Sequence, residues 1–402
     1  MSNIFLSVDQ ARAWLLERAR PLAGSESVEL LAAAGRVLAE AVTATLNVPP
    51  HDNSAMDGYA LRLADFGQAL PVSQRIPAGS VPTPLQAGTI ARIFTGAPIP
   101  MGADAVIMQE QAEVQEDGRV LLSGNPEVGQ NIRRAGEDIA DGQVVLQAGQ
   151  RLGPADLGLV ASLGIAKLTV RRALTVAAFF TGDELTEPGQ PLAAGKIYNS
   201  NRYWLITSLA ALGCRVIDLG IIPDNLAATR AALAKAASEA DVVITCGGVS
   251  VGEEDHVKAA VEAEGELTLW KIAMKPGKPL AYGRIGTADF IGLPGNPVSG
   301  FVTFEVLVKA FLAVRQGGEA AEAVATERLP AAFQWDKPDA RREEFIRVRR
   351  ELVDGHLQLV TYPNQGSGVL MSCAWAEGLV RLAPGQRVSP GELLDFLPLT
   401  RG

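Results

Sequence analysis

Apolar and polar positions follow two rhythms along this chain, and the change of rhythm divides it. An amphipathic run through Trp14 and Leu15 follows Ser7 and Gln10, which fit a capping box, and Pro21 marks where that helix should stop. A second helix is predicted over 28–40. From about Val42 the texture changes. NVPPHDNSAMDGYA is loop-like, and 76–146 is rich in Gly, Pro and alternating stretches such as AVIMQEQAEV, which predicts a small β domain. Residues 154–162 read as a helix closed by Gly164.

Beyond Arg172 short β-branched runs alternate with helical periods: a strand over 174–180, a helix over 199–212 closed by Gly213, a strand over 215–219, a helix over 226–239 and a strand opening at Asp241. Such alternation predicts a doubly wound parallel sheet. Strands near 280–282 and 289–293 lead into a long helix over 297–315, and 319–327 reads as an alanine-rich linker. The rest, 329–399, alternates as strands, with VDGH as a hairpin turn carrying His356. The expected fold class is therefore a multidomain α/β and β protein. An α/β domain comprises 1–22 plus 172–320, a linking helical and β region 23–44 plus 145–171, a small β domain 45–144, and a C-terminal β domain 321–402.

Composition narrows the function. With 48% hydrophobic and 20% charged residues the chain can build several cores, and no apolar run is expected to reach membrane-span length. MSNIFLSVDQARAW lacks the basic and apolar regions of a secretory signal, so the cytoplasm is the expected location. A net charge of −9 supplies no broad positive field for nucleic acid, so an anionic ligand must be met locally. Arg133 and Arg134 form one basic pair; Arg341, Arg342, Arg347, Arg349 and Arg350 read as solvated strand faces. Cys214, Cys246 and Cys373 form no C-x-x-C pair and read as small buried hydrophobes, and His51, His256 and His356 are too scattered for a histidine-rich metal centre.

Chemistry concentrates where strands end. In DVVITCGGVSVGEEDHV a buried strand breaks at Gly247 and Gly248, which permit close ligand approach. Carboxylates follow at a helix start; Glu253 and Glu254 suit capping, and Asp255 is kept for function. Gly248, Ser250 and Gly252 also fit the nucleophile elbow of serine hydrolases, but the triad partners are poorly placed, and the P-loop spacing from Gly247 to Gly252 lacks its Lys and Ser/Thr. Four loops should converge at the carboxyl edge of the sheet: TGDEL with Asp183 and Glu184, IIPDN with Asp224, CGGVSVGEED, and LPGNPVSG with Asn296. Several acids on one sheet edge point to magnesium and phosphate chemistry. WKIAMKPGKPLAYG adds Lys271, Lys275 and Lys278 on a stiff turn, where ammonium groups could neutralise an oxyanion that carboxylates alone would repel.

NVPPHDNSAMDGYA, FTGAPIPMGADAVIMQE, NIRRAGEDI, FFTGDEL, GGVSVGEED, KPGKPLAYG and LPGNPVSG occur together and in order. In this the chain resembles, over essentially its whole length, the MoeA-type molybdopterin molybdenumtransferases, the family of the gephyrin E domain. The resemblance implies a MogA-like sheet domain, a barrel-like C-terminal domain, and insertion of molybdate into adenylylated molybdopterin with magnesium and release of AMP. It implies that Glu184, Asp224 and Asp255 arrange the metal and the pterin, and that Lys271 and Lys275 meet pyrophosphate or molybdate charge. Gly247, Gly248, Ser250, Lys278, Pro294, Gly295, Asn296, Pro297 and Ser367 would then shape the pterin site. Asp57, Thr95 and Asp138, in the small β domain, would complete the cleft from a dimer partner. A homodimer, an adenylyltransferase that delivers the substrate, and molybdoenzyme acceptors or chaperones are the implied partners. The sequence departs from the family pattern at Gly368, after Ser367, where relatives often carry histidine, and at His256, where tyrosine is common. A pterin-binding scaffold without catalysis is the alternative of a different class.

Overall fold

The computed structural model describes residues 5–248, 256–320 and 325–399. At its centre is a sheet of seven strands in the order Phe5–Leu6, Gly265–Ile272, Pro279–Ile285, Ala288–Leu293, Val242–Cys246, Thr175–Thr181, Arg215–Ile222. The last four pair in parallel, as the alternation of strands and helices predicts. Every position of Thr175–Thr181, Val242–Cys246 and Ala288–Leu293 is buried, because helices cover both faces. Val8–Arg18, Ser200–Ala211 and Pro297–Arg315 pack on one face; Leu226–Glu239 and His256–Glu264 pack on the other. Ser7 and Gln10 make the predicted capping box.

The sheet is not wholly parallel. Pro279–Ile285 runs antiparallel to both neighbours. Gly286 and Thr287 alone connect it to Ala288–Leu293, and so short a turn joins only antiparallel strands. The expectation about apolar runs also needs correction: Pro297–Arg315 is long and apolar enough to cross a membrane, yet 78% of it is buried inside the fold. Its middle turn, Phe304–Val308, is π-helical, and the side chain of Arg12 donates to the Val306 carbonyl from Nε and Nη2 at 3.3 and 3.2 Å.

The predicted helix over 28–40 does not form. Ser25–Glu29 is a strand paired with Lys167–Arg171, Leu30–Ala33 makes one 3-10 turn, and Val37 and Leu38 bridge to Arg151 and Val170. Helical spacing of its apolar residues was overridden by strand partners that bury Leu38 and Val170 in one core, and by Gly35 at φ 71°.

The small β unit is a sheet in the order Val72–Ile76, Ile90–Ile93, Gly58–Leu61, Ala105–Met108, with an apolar cluster on each face. In the C-terminal unit, Glu343–Val353 pairs with His356–Thr361 and Gly378–Leu382, and Leu393–Pro398 bridges to Glu327–Pro330. A bridge between Ala331 and Leu359 closes the ring into a barrel-like form around Phe396, Ile346 and Val380. Asp354 and Gly355, both at positive φ, turn the predicted hairpin.

Arg347 overturns the reading of the arginine cluster as a solvated face. Only 1% exposed, it donates from Nη1 to the Phe345 carbonyl at 2.9 Å and from Nε to Ser372 Oγ at 3.2 Å. Burial pulls its pKa down to about 10. The strand start Glu343–Val348 is buried at every position because the barrel packs one side and the central unit the other.

A charged clamp holds these two units together. Arg381 bridges Asp9, from Nη1 and Nη2 at 2.9 and 2.7 Å, and Glu343, which also accepts from the Val8 amide at 3.2 Å.

All three cysteines are buried. Burial pushes Cys214 up from 9.0 to about 12, Cys373 to about 11, and Cys246 upward as well. Iodoacetamide at mildly alkaline pH should leave all three unlabelled in the native protein and label all three after unfolding. Native labelling of Cys246 would contradict this burial. Since the folded thiol pKa of Cys214 lies above its unfolded value, its contribution to stability is complete below pH 9.0 and is lost as pH rises through about 12.

Candidate active site

The parallel strands end on one side of the sheet, where a cavity of about 880 Å³ opens. Four strand ends wall it. Thr181, Gly182 and Glu184 follow the first, Asp224 the second, Gly247 and Gly248 the third, and Pro294, Gly295, Asn296 and Pro297 the fourth. Lys275, Lys278, Arg342 and Ser367 close it from the side of the barrel.

Local chemistry explains the turns. Gly248 sits at φ 65°, and a Cβ there would lie 2.4 Å from Val257 Cγ2 and 3.1 Å from Thr181 Oγ1. Gly247 donates its N–H to the Leu293 carbonyl at 3.1 Å, tying adjacent strand ends together. Gly182, at φ 147°, lets the Glu184 carboxylate fold back over its Cα, where a Cβ would meet Glu184 Oε2 at 2.6 Å. Asn201 links the helix Ser200–Ala211 to the proline-rich loop, donating from Nδ2 to the Gly295 carbonyl at 2.7 Å.

The cationic wall is held from behind. Lys275 Nζ lies 2.9 Å from Glu344 Oε1, and Glu344 is 2% exposed. Arg342 donates from Nε and Nη2 to Asp339 Oδ2 at 2.9 and 2.6 Å, which brings the Asp339 carboxyl down to about 2. Lys278 Nζ stands 5.4 Å from the ring centroid of Phe5.

Among the described residues, two buried polar atoms bordering the cavity find no hydrogen-bond partner: Thr181 Oγ1 and Asn199 Nδ2. The Asn199 carboxamide is oriented by its other end, since Oδ1 accepts from the Arg202 amide at 3.2 Å and caps the helix. Buried polar groups are nearly always satisfied, so such orphans mark places where a ligand or ordered water belongs.

The structure thus brings Glu184, Asp224, Gly247, Gly248, Lys275, Lys278, Pro294, Gly295, Asn296, Pro297 and Ser367 to one cavity. Ser250 and Asp255 lie outside the described residues. Lys271 does not line the cavity; it sits in the strand Gly265–Ile272, in register with Phe5 and Pro279. Asp57 and Thr95 come together, with Asp57 Oδ1 accepting from the Thr95 amide at 2.7 Å and its hydroxyl at 2.8 Å. The Thr95 amide bond is the main cause holding the Asp57 carboxyl below its ordinary range. Neither they nor Asp138, whose amide donates to the Val48 carbonyl at 3.0 Å, border the cavity of their own chain. Against a hydrolase triad, His356 is exposed at the start of its strand, and neither it nor His256 lines the cavity. Among the described residues no cluster of three metal-binding side chains forms.

Sequence reasoning missed Asn199, Asn201, Arg342 and Gln365 as cavity residues. The signal for Arg342 was its place in RREEF beside Asp339, which leaves a clamped rather than a solvated guanidinium.

Three family profiles cover almost all of the chain: the MoeA N-terminal region (domain I and II) over 6–164, a probable molybdopterin binding domain over 177–314, and the MoeA C-terminal region (domain IV) over 328–399. A molybdopterin molybdenumtransferase of Haemophilus influenzae is 47% identical over 83% of this chain and 80% of its own length. The chain belongs to the MoeA family of molybdopterin molybdenumtransferases. A relative of the same name from Nostoc is 36% identical over 93% of this chain and 89% of that protein. The crystal structure of the molybdopterin biosynthesis MoeA protein from Pyrococcus horikoshii OT3 superposes with a TM-score of 0.82 at 29% identity, covering 98% of this chain and 100% of that one. Membership makes this MoeA-family chain a transferase of molybdenum cofactor biosynthesis.

Proposed function

We propose that this enzyme inserts molybdenum from molybdate into adenylylated molybdopterin, with magnesium-dependent release of AMP. The observation that carries the reading is one cavity lined both by the acids Glu184 and Asp224 and by the cationic residues Lys275, Lys278 and Arg342. Such a site can hold a cation and an oxyanion together.

The acidic side fits a hard divalent ion, since Glu184 and Asp224 offer carboxylate oxygens, and the one thiol among the described lining residues, Cys246, is almost wholly buried. Glu184, Asp224 and Asp255 would hold magnesium, which when bound neutralises charge on the phosphoanhydride. The chain's own residues do the rest. Lys275, Lys278 and Arg342 orient molybdate and stabilise the negative charge that builds on the departing AMP phosphate. The turn at Gly247 and Gly248 and the loop Pro294 to Pro297 admit the pterin at close range, and Asn199 and Thr181 supply polar groups along the wall. Positioning and charge stabilisation are sufficient, and no covalent enzyme intermediate is required.

In this reading the enzyme is a cytoplasmic homodimer. Asp57, Thr95 and Asp138 of one subunit complete the cavity of its partner. Exposed apolar side chains near the mouth support the second copy: Ile197, which lines the cavity, is 55% exposed, and Tyr198 and Tyr203 are 45% and 50% exposed.

The test is AMP release from adenylylated molybdopterin under anaerobic conditions, with and without molybdate and magnesium. Release that needs both is expected. Tight binding of the pterin with no release under any condition would replace this reading with the scaffold alternative.

A further inference from the structure

We infer that Glu344, which does not border the cavity, is the positioning residue that sets both Lys275 and Arg342 in its wall, so that the barrel-like unit tunes oxyanion binding by the central unit. The inference deepens the proposed function and rests on it for the identity of the oxyanion.

Glu344 is 2% exposed and spends each carboxylate oxygen on a different task. Oε1 takes Lys275 Nζ at 2.9 Å. Oε2 takes the indole N–H of Trp335 at 3.0 Å and the backbone N–H of Asp339 at 2.8 Å. Asp339 in turn accepts from the Arg342 amide at 3.0 Å through Oδ1 and holds the guanidinium through Oδ2. A buried carboxylate thus fixes one cation directly and the other through the Asp339 to Arg342 loop.

The backbone makes the arrangement stiff. Lys275 pairs in parallel register with Glu344, and Met274 with Glu343, so the strand segment carrying the lysine belongs to the sheet of the barrel. Its neighbour Glu343 is occupied by Arg381 and the Val8 amide, which leaves Glu344 as the acid facing the lysine. A lysine has a flexible four-carbon stem, and a charge-assisted bond to a fixed buried acceptor confines it to one place along the wall. Half of Lys275 remains open to the cavity, at 45% side-chain exposure, so the same ammonium can donate to a ligand.

Glu344→Gln keeps an oxygen for Trp335 and Asp339 and removes the charge that holds Lys275. Two measurements test the role. The first needs no substrate: acylation of Lys275 by an amine-reactive ester, read by mass spectrometry against Lys278 in the same molecule. Release of Lys275 should raise its labelling several-fold relative to Lys278 in Glu344→Gln, and an unchanged ratio overturns the inference. The second is a double-mutant cycle on molybdate affinity by calorimetry. Glu344→Gln should weaken binding about tenfold alone and add little on a Lys275→Met background, since both act on one ammonium. Full additivity, or a loss that tracks a fall in Tm, assigns Glu344 a structural role and overturns the inference. A raised Lys275-to-Lys278 labelling ratio in Glu344→Gln, with a wild-type protein that binds no molybdate, would instead sink the functional reading and leave the positioning role standing.

Discussion

Gly58→Ala should abolish the activity and destabilise the protein by more than about 3 kcal/mol, at or beyond the upper range for overpacking. A Cβ at this position would lie 1.9 Å from the Ile107 carbonyl oxygen and 2.8 Å from its carbon. Both are backbone atoms of the neighbouring strand, in a sheet where Gly58 pairs with Ile93 on one side and Met108 on the other. No rotamer change relieves such an overlap; the strands must separate. Gly58 directly follows Asp57, so separation also moves the carboxylate away from Thr95. Calorimetry and AMP release together check this. Asp57→Asn is the companion variant: it should lower the rate while leaving Tm nearly unchanged, because the side chain is only partly buried and an amide oxygen can still accept from Thr95. A Gly58→Ala protein with wild-type Tm and rate would show that the two strands do not approach this closely.

Lys275→Met should weaken molybdate binding by about ten- to a hundredfold, as the loss of a charged hydrogen bond does. It should also cost about 2 to 3 kcal/mol of stability. Breaking a buried ion pair typically costs ~3–5 kcal/mol, because the surviving charge is stranded. The cost here falls at or just below the bottom of that range, since Glu344 keeps the Trp335 and Asp339 donors and the lysine is partly open to solvent. Lys275→Arg should recover stability better than affinity, because a planar fork cannot donate from the same point as an ammonium. Unchanged affinity in Lys275→Met would remove the lysine from the oxyanion site.

Strand ends and helix caps were legible in the sequence because their causes are local. Leu226–Glu239 begins where Asn225 caps it, and the strand Val242–Cys246 ends where Gly247 can turn. The cavity acids Glu184 and Asp224 were legible for the same reason, since each stands directly beyond a parallel strand. What escaped depends on contacts between distant segments. Val28 and Leu38 carry helical spacing, yet strand partners near residue 170 decide their conformation. Arg347 looks like its solvated neighbours until the packing of two units buries it. Arg342 becomes a cavity residue only because the barrel docks against Lys275, a pairing of residues 69 apart that no local pattern records. Lys271 differs for the opposite reason: one basic turn suggested three equivalent lysines, and strand pairing sets Lys271 apart from the two that line the cavity.

The opening strand of the chain has a temporal consequence. Phe5–Leu6 completes the edge of the central sheet by pairing with Lys271 and Ile272, and Val8 and Asp9 join the clamp at Glu343 and Arg381. On a ribosome this segment emerges long before Lys271, Glu343 and Arg381, and must wait for them before it finds its place. The sheet from Gly58 to Met108 has no such dependence, since its strands pair among themselves. Synthesis then favours an order in which an inserted unit matures early while the domain that contains the cavity closes last, around a first helix kept idle until the end.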